Sequence, residues 1–151
     1  EDAVAALAAK QEGNAKFGAK DFLAAIESYS KAIDLTSSRT DLLENEQEVV
    51  AARIASFNNR TQCYLNLGNN AAAAKDCVTV LQQDDKNIKA HFRLAKATIA
   101  MDEHEAAAHS LKQFEKYGGP AEQVATLREE LEKSRAAFDG KQKKMFKKMF
   151  A

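Results

Sequence analysis

The stretch Tyr64–Leu81, YLNLGNNAAAAKDCVTVL, overlays Thr98–Glu115, TIAMDEHEAAAHSLKQFE, when Ala73 is placed on Ala107, 34 residues further on. Leu67-Gly68-Asn69 then falls over Met101-Asp102-Glu103, and Cys77 over Leu111. An earlier copy runs from Gly13-Asn14-Ala15-Lys16-Phe17 through Asp21-Phe22-Leu23-Ala24-Ala25 to Tyr29 and Ala32. Ala25 to Ala73 is 48 residues, one period plus 14, and the extra 14 fall around 36–48. A 34-residue period marks a helix-turn-helix unit that cannot bury its apolar face alone and must stack on its neighbours.

Composition agrees with helices. Alanine supplies 29 of the 151 residues, proline only Pro120, and 29% of residues are charged. Such a chain reads as all-helical, and it lacks the alternation and regular turn signals of a sandwich, a barrel or an alternating α/β fold. Lys+Arg and Asp+Glu are both 22, which removes any global argument for nucleic acid. No apolar run approaches the 18 or so residues of a membrane span. The chain begins Glu1-Asp2-Ala3, without methionine or a signal-like apolar region, and so reads as a piece or a processed product. Cys63 and Cys77 fall within helical patterns, which favours a reducing compartment, cytoplasmic or also nuclear.

The small and aromatic residues carry a resemblance. Gly13, Ala25, Tyr29 and Ala32 in the first copy, Tyr64 and Ala73 in the second, and Ala95 and Ala107 in the third are similar in type and place to the tetratricopeptide repeat. The match covers roughly Ala6–Gly118. Small residues let the two helices of a repeat approach, and the aromatics fill the gap beside them. Phe114 departs, standing where alanine is usual. The fold expected is all-α: three helix-turn-helix repeats in a right-handed superhelix, with a long C-terminal capping helix. The repeats cover about 6–39, 54–87 and 88–118, with the insert near 36–48, and 119–151 forms the capping helix and a basic tail.

Helices are predicted over about Ala3–Phe17, Asp21–Leu35 with Asp21 as N-cap, Asp41–Leu67, Asn70–Gln83, Asn87–Met101 and Glu103–Tyr117. Thr36–Thr40 reads as a polar loop. Gly118-Gly119-Pro120 breaks the chain, and a last helix starts near Ala121. Val124, Leu127, Leu131 and Phe138 give it one apolar stripe that covers the exposed face of the third repeat. Gly140 is its weak point, and 141–151 either extends it or frays.

In a stack of such hairpins the first helix of each repeat lines the concave face, and residues four apart on a helix point the same way. Lys10 and Asn14 form such a pair, Lys89 and Arg93 another, and Asn59 lies on the helix between. Three cations and two amides would then converge on one groove, with bonds suited to carboxylates and to a peptide backbone. The motifs Lys10-Gln-Glu-Gly-Asn14, Asn59-Arg60 and Lys89-Ala-His-Phe-Arg93 resemble the carboxylate clamp of co-chaperone tetratricopeptide domains. In that family the ligand is the Glu-Glu-Val-Asp tail of heat-shock protein 90 or 70. The resemblance implies that Lys10, Asn14, Asn59 and Lys89 hold the two carboxylates of the terminal aspartate. Arg93 would reach a carbonyl or side chain further up the tail. Solenoid surfaces also carry Lys, Arg and Asn for solubility alone. Phe17 and Phe92 are candidates for an apolar pocket on the peptide; ordinary inter-helix packing is the other reading.

The tail 141–151 carries five lysines, with Met145, Phe146, Met149 and Phe150 recurring four apart. A helix there would be basic and amphipathic, which suits calmodulin or an anionic surface, or simply a solvated helix end. Its close in Lys148-Met149-Phe150-Ala151, the insert after the first repeat and the long last helix are similar to the C-terminal segment of large immunophilins, cyclophilins of the forty-kilodalton class or the FK-binding type. That resemblance implies a peptidyl-prolyl isomerase domain before Glu1. The 151 residues themselves carry no enzyme signature. His91, His104 and His109 lack metal-type spacing, Cys63 and Cys77 form no CxxC pair, and no phosphate loop or nucleophile elbow appears. Glu129-Glu130 reads as a solvated helix face rather than an acid/base pair. No metal or other cofactor is expected.

Overall fold

A computed structural model describes residues 2–37 and 46–151 of the chain. These residues form seven helices and no strand: α1 Asp2–Gly18, α2 Phe22–Ser37, α3 Glu46–Asn66, α4 Asn70–Gln83, α5 Ile88–Ala100, α6 His104–Lys116 and α7 Ala121–Phe150. They divide into two compact units, Glu1–Asp85 and Lys86–Ala151.

One turn recurs four times, and it is what stops the helices. Asp21 N–H donates to Lys16 O, Asn69 to Tyr64 O, Glu103 to Thr98 O and Gly119 to Phe114 O, each at 2.9 or 2.8 Å. The residue before each of these donors, Lys20, Gly68, Asp102 or Gly118, has a positive φ between 59° and 98°. A left-handed residue followed by a bond back across six residues is the Schellman close of a helix. Glycine announces it at Gly68 and Gly118. Lys20 and Asp102 adopt it without glycine. Helix starts are capped where a short polar side chain is at hand. Asp21 Oδ1 accepts from Ala24 N–H at 3.2 Å, Asn69 Oδ1 from Ala72 N–H at 3.3 Å, and Asn87 Oδ1 from Ala90 N–H at 3.0 Å.

In the first unit α1 packs on α2, α2 on α3 and α3 on α4. The close approach of α1 to α2 depends on Gly13. A Cβ there would lie 2.6 Å from Tyr29 Cε1, so only glycine leaves room for the ring. Tyr29 is 1% exposed and packs with Ala25 and Cys63, flanked by Phe17, Phe22 and Ile26. Arg60 on α3 ties three helices. Its guanidinium grips Asp76 of α4 through Nε and Nη2, both at 2.7 Å, and Nη1 donates to Ser30 Oγ of α2 at 3.0 Å. Burial opposes the charge of Arg60, but the bonds and attraction from Asp76 outweigh it and hold its pKa above the ordinary value.

In the second unit α5 packs on α6, and α7 lies on both. Ala95, Ala107, Leu111, Phe114, Val124, Leu127 and Leu131 form its core. Phe114, the large residue at a usually small position, is fitted by a neighbouring absence. A Cβ on Gly119 would lie 2.5 Å from Phe114 Cε1. The ring thus occupies space that the glycine of the turn vacates.

One boundary differs from the sequence reading. Thr36 and Ser37 belong to α2 rather than to a loop, because their hydroxyls turn back to helix carbonyls, Thr36 Oγ1 to Ile33 O at 2.8 Å and Ser37 Oγ to Ile33 O at 2.8 Å. The described part of α3 starts at Glu46, and the predicted start at Asp41, the rest of the loop and most of the insert lie outside the described residues. The helix after Pro120 runs through Gly140 to Phe150, 30 residues in all. Good helix formers on both sides of Gly140 absorb its cost of roughly 1 kcal/mol.

Candidate functional site

The site is built from the inner turn of α1. Lys10 and Asn14 are one helical turn apart on it, Lys10 half-buried and Asn14 exposed. Asn59 stands on α3 and is half-buried. Its Nδ2 donates to Asn14 Oδ1 at 3.1 Å, across 45 residues of sequence. Tyr29 Oη of α2 donates to the same oxygen at 2.6 Å. Two of the sequence-predicted residues are therefore in direct contact, and a third lies one turn away. Tyr29 was legible only as the aromatic of a repeat, and nothing local marked its hydroxyl as part of the site. Burial pushes its pKa up to about 12, with Cys63 adding to the rise, so the phenol is a neutral donor.

Lys89 and Arg93 belong to the second unit, on the first two turns of α5. They are one turn apart, Lys89 exposed and Arg93 half-buried. Lys10 and Lys89 make no salt bridge with any described residue. Arg60, beside Asn59 in sequence, is not a spare cation, since Asp76 occupies it. Lys16 is likewise paired, with Glu12 Oε1 at 2.8 Å, and its hydrogen bond to Glu12 raises its pKa.

Phe17 and Phe92 both serve helix packing. Phe17 meets Phe22 edge-on with ring centres 5.5 Å apart, and Phe92 lies 5.4 Å from the ring of Phe114. Each keeps part of its surface exposed. At the end of α7, Met145, Phe146, Met149 and Phe150 are 60–70% exposed, with the two phenylalanine rings 4.5 Å apart. The tail continues the helix with its lysines solvated.

Three residues imitate a hydrolase. Ser134 Oγ of α7 lies 2.9 Å from His104 Nε2 and donates to Asp102 Oδ1 at 3.2 Å. A catalytic triad needs serine on one ring nitrogen and the carboxylate on the other. Here Asp102 also faces Nε2, at 3.8 Å, so the cluster has the wrong geometry. It pins α7 to the turn between α5 and α6 instead, with Phe138 edge-on to His104 at 5.4 Å. His91 is buried and stacks on Tyr117, and His109 is exposed. Among the described residues no group of three or more His, Cys, Asp or Glu could hold a metal ion, and no helix is long and apolar enough to cross a membrane.

Helix pairs closed by one repeated turn, with small residues at the contacts and a long final helix, define the tetratricopeptide-repeat fold. Solved structures agree. The C-terminal tetratricopeptide domain of an FK506-binding protein of Plasmodium falciparum superposes with a TM-score of 0.80 at 23% identity, over 95% of this chain and 94% of that one. The first such domain of Spaghetti (RPAP3), solved with the HSP90 peptide SRMEEVD, superposes with a TM-score of 0.72 at 22% identity, over 91% and 95%. In sequence, the Hsp70/Hsp90 co-chaperone cns1 of Schizosaccharomyces pombe is 30% identical over 103 residues. That match takes in 68% of this chain, which spans 26% of the co-chaperone's length. No family model matches the chain. The chain is a tetratricopeptide-repeat domain, and it resembles those of FK506-binding proteins and of the Cns1 and RPAP3 co-chaperones.

Proposed function

We propose that this chain is a non-catalytic docking module of a cytosolic co-chaperone, and that it holds the Glu-Glu-Val-Asp end of an Hsp90- or Hsp70-type chaperone by its free carboxylates. Lys10, Asn14, Asn59 and Lys89 take the two carboxylates of the terminal aspartate, and Arg93 takes a carbonyl or side chain further up. The observation that carries the reading is the bonded pair Asn14 and Asn59, drawn from helices 45 residues apart, with Lys10 one turn away and unpaired among the described residues. The HSP90 peptide held by the RPAP3 domain, and the Hsp70/Hsp90 role in the name of the Schizosaccharomyces pombe relative, support the same ligand. The exposed edges of Phe17 and Phe92 would meet the peptide's valine or the residue before it. Each charge-assisted bond is worth about 1.5–3 kcal/mol, and four or five of them, less the ordering of the peptide, correspond to affinity of order micromolar. Salt weakens such binding.

Calorimetry with Met-Glu-Glu-Val-Asp and its C-terminal amide tests this. The free acid should bind and the amide should bind much more weakly. Lys89→Ala or Arg93→Ala should abolish binding with little loss of helicity. Equal binding of the two peptides, or unchanged affinity in both variants, would defeat the reading.

A second role follows from the FK506-binding neighbour, whose matching part is a C-terminal domain. In the parent protein this chain would then be the targeting part of a peptidyl-prolyl isomerase, which an isomerase assay of the full-length product would decide. The exposed Met and Phe side chains at the end of α7, among five lysines, suit a calmodulin-type partner. Calcium-dependent binding of calmodulin, lost in a chain ending at Gly140, is the expected result.

A further inference from the structure

Asn14 is held at its oxygen from two sides. Tyr29 Oη donates to Asn14 Oδ1 at 2.6 Å, and Asn59 Nδ2 donates to the same atom at 3.1 Å. An amide oxygen offers two lone pairs, so both are used within the protein. The other end of that amide, Nδ2, has two N–H donors and no acceptor among the described residues. We propose that Tyr29 is a positioning residue that locks Asn14 with Nδ2 toward the ligand, so that this position selects a carboxylate over a carboxamide; the inference rests on the peptide-docking reading above.

The packing makes Tyr29 suited to the task. Its ring is buried against Gly13, and the missing Cβ of that glycine gives the ring its place. The hydroxyl therefore emerges beside the very next residue, Asn14. Its raised pKa keeps the proton on the oxygen at any physiological pH. A phenol that stays protonated acts here as a fixed donor. Without that donor, the Asn14 amide loses one of the two bonds that fix its sense. A half-turn would then put Oδ1 against the incoming carboxylate, and two acceptors repel. A C-terminal amide carries both donor and acceptor and tolerates either sense, so it gains nothing from the lock.

Calorimetry with Met-Glu-Glu-Val-Asp and its C-terminal amide on the wild type, Tyr29→Phe, Asn14→Ala and the double variant reads this directly. Tyr29→Phe should weaken the free acid about fivefold, the worth of one hydrogen bond, and leave the amide peptide unchanged. On the Asn14→Ala background the same change should cost clearly less, because only the Asn59 amide, which also bonds Tyr29, is left to feel it. Equal losses on both backgrounds, or an unchanged ratio of acid to amide affinity, would overturn the positioning role while leaving the docking reading intact. A wild type that binds both peptides equally would instead remove the docking reading. Should Tyr29→Phe fail to fold, the wild type answers by NMR. The side-chain amide pair of Asn14 must shift on saturation with the free acid, and a pair that does not move overturns the proposal.

Discussion

Glycine to alanine should have opposite signs at two helical positions of this chain. Gly13 lies inside α1 and Gly140 inside α7. By helix propensity alone, alanine gains roughly 1 kcal/mol at either. At Gly140 nothing lies within 4 Å of an added Cβ, so the gain stands. At Gly13 the new Cβ would meet Tyr29 Cε1, Cδ1 and Cζ at 2.6, 2.7 and 3.0 Å. Ordinary carbon contact begins near 3.5 Å, so α1 or the ring must move by close to 1 Å. The ring is buried against Ala25 and Cys63 and its hydroxyl is tied to Asn14, so it cannot swing clear. Overpacking of this kind costs about 1–3 kcal/mol, and three overlapping atoms put it toward the upper end. The net loss for Gly13→Ala is then about 2 kcal/mol. Thermal and urea unfolding followed by circular dichroism measure it, with hydrogen exchange of the α7 amides for Gly140→Ala. Gly13→Ala should melt several degrees lower, and Gly140→Ala should show slower exchange around residue 140. A Gly13→Ala protein as stable as the wild type would refute the close α1–α2 contact and the Tyr29 placement that follows from it.

Asp76→Ala strands the largely buried Arg60 guanidinium, and urea unfolding should show a loss of about 3 kcal/mol; a loss under 1 kcal/mol would mean that water reaches Arg60 freely. At the recurring turn, Gly68→Ala forces a Cβ into the left-handed region at φ 77° with open space around it, for a cost of about 1 kcal/mol, whereas Lys20→Gly at φ 61° should be neutral or stabilising by less than that; the reverse order in thermal melts would contradict the turn. The raised pKa of Tyr29 means that its proton is held more tightly folded than unfolded. Its contribution to stability is therefore complete below about pH 10 and lost as pH rises toward about 12. Absorbance titration should show one tyrosine ionising near pH 12, a step absent from Tyr29→Phe.

Local chemistry carried much of the reading. Asn70–Gln83 is predicted and found with the same ends, because Gly68 closes the preceding helix and Asn69 caps the next. Ala121 starts α7 where Gly118-Gly119-Pro120 forbids continuation. Thr36 and Ser37 depart from the loop expected of turn-prone residues because their side-chain bonds to i−3 and i−4 carbonyls extend the helix. Asp102 takes the left-handed turn position without the glycine signal. Its side chain is held by Ser134 of α7, 32 residues later, which no local pattern announces.

Helical character, a hairpin unit of about 34 residues and the place of Lys10, Asn14, Asn59, Lys89 and Arg93 on the first helices of the hairpins are legible in the amino-acid order alone. Periodicity and turn chemistry are local properties, set by backbone sterics and by which side chains can cap. That Asn14 meets Asn59 and Tyr29, that Arg60 is consumed by Asp76, and that Ser134, His104 and Asp102 form a pin rather than a triad emerges once the helices are packed. Those outcomes depend on how far helices approach and which way a side chain turns, and these are fixed by packing between residues distant in the chain.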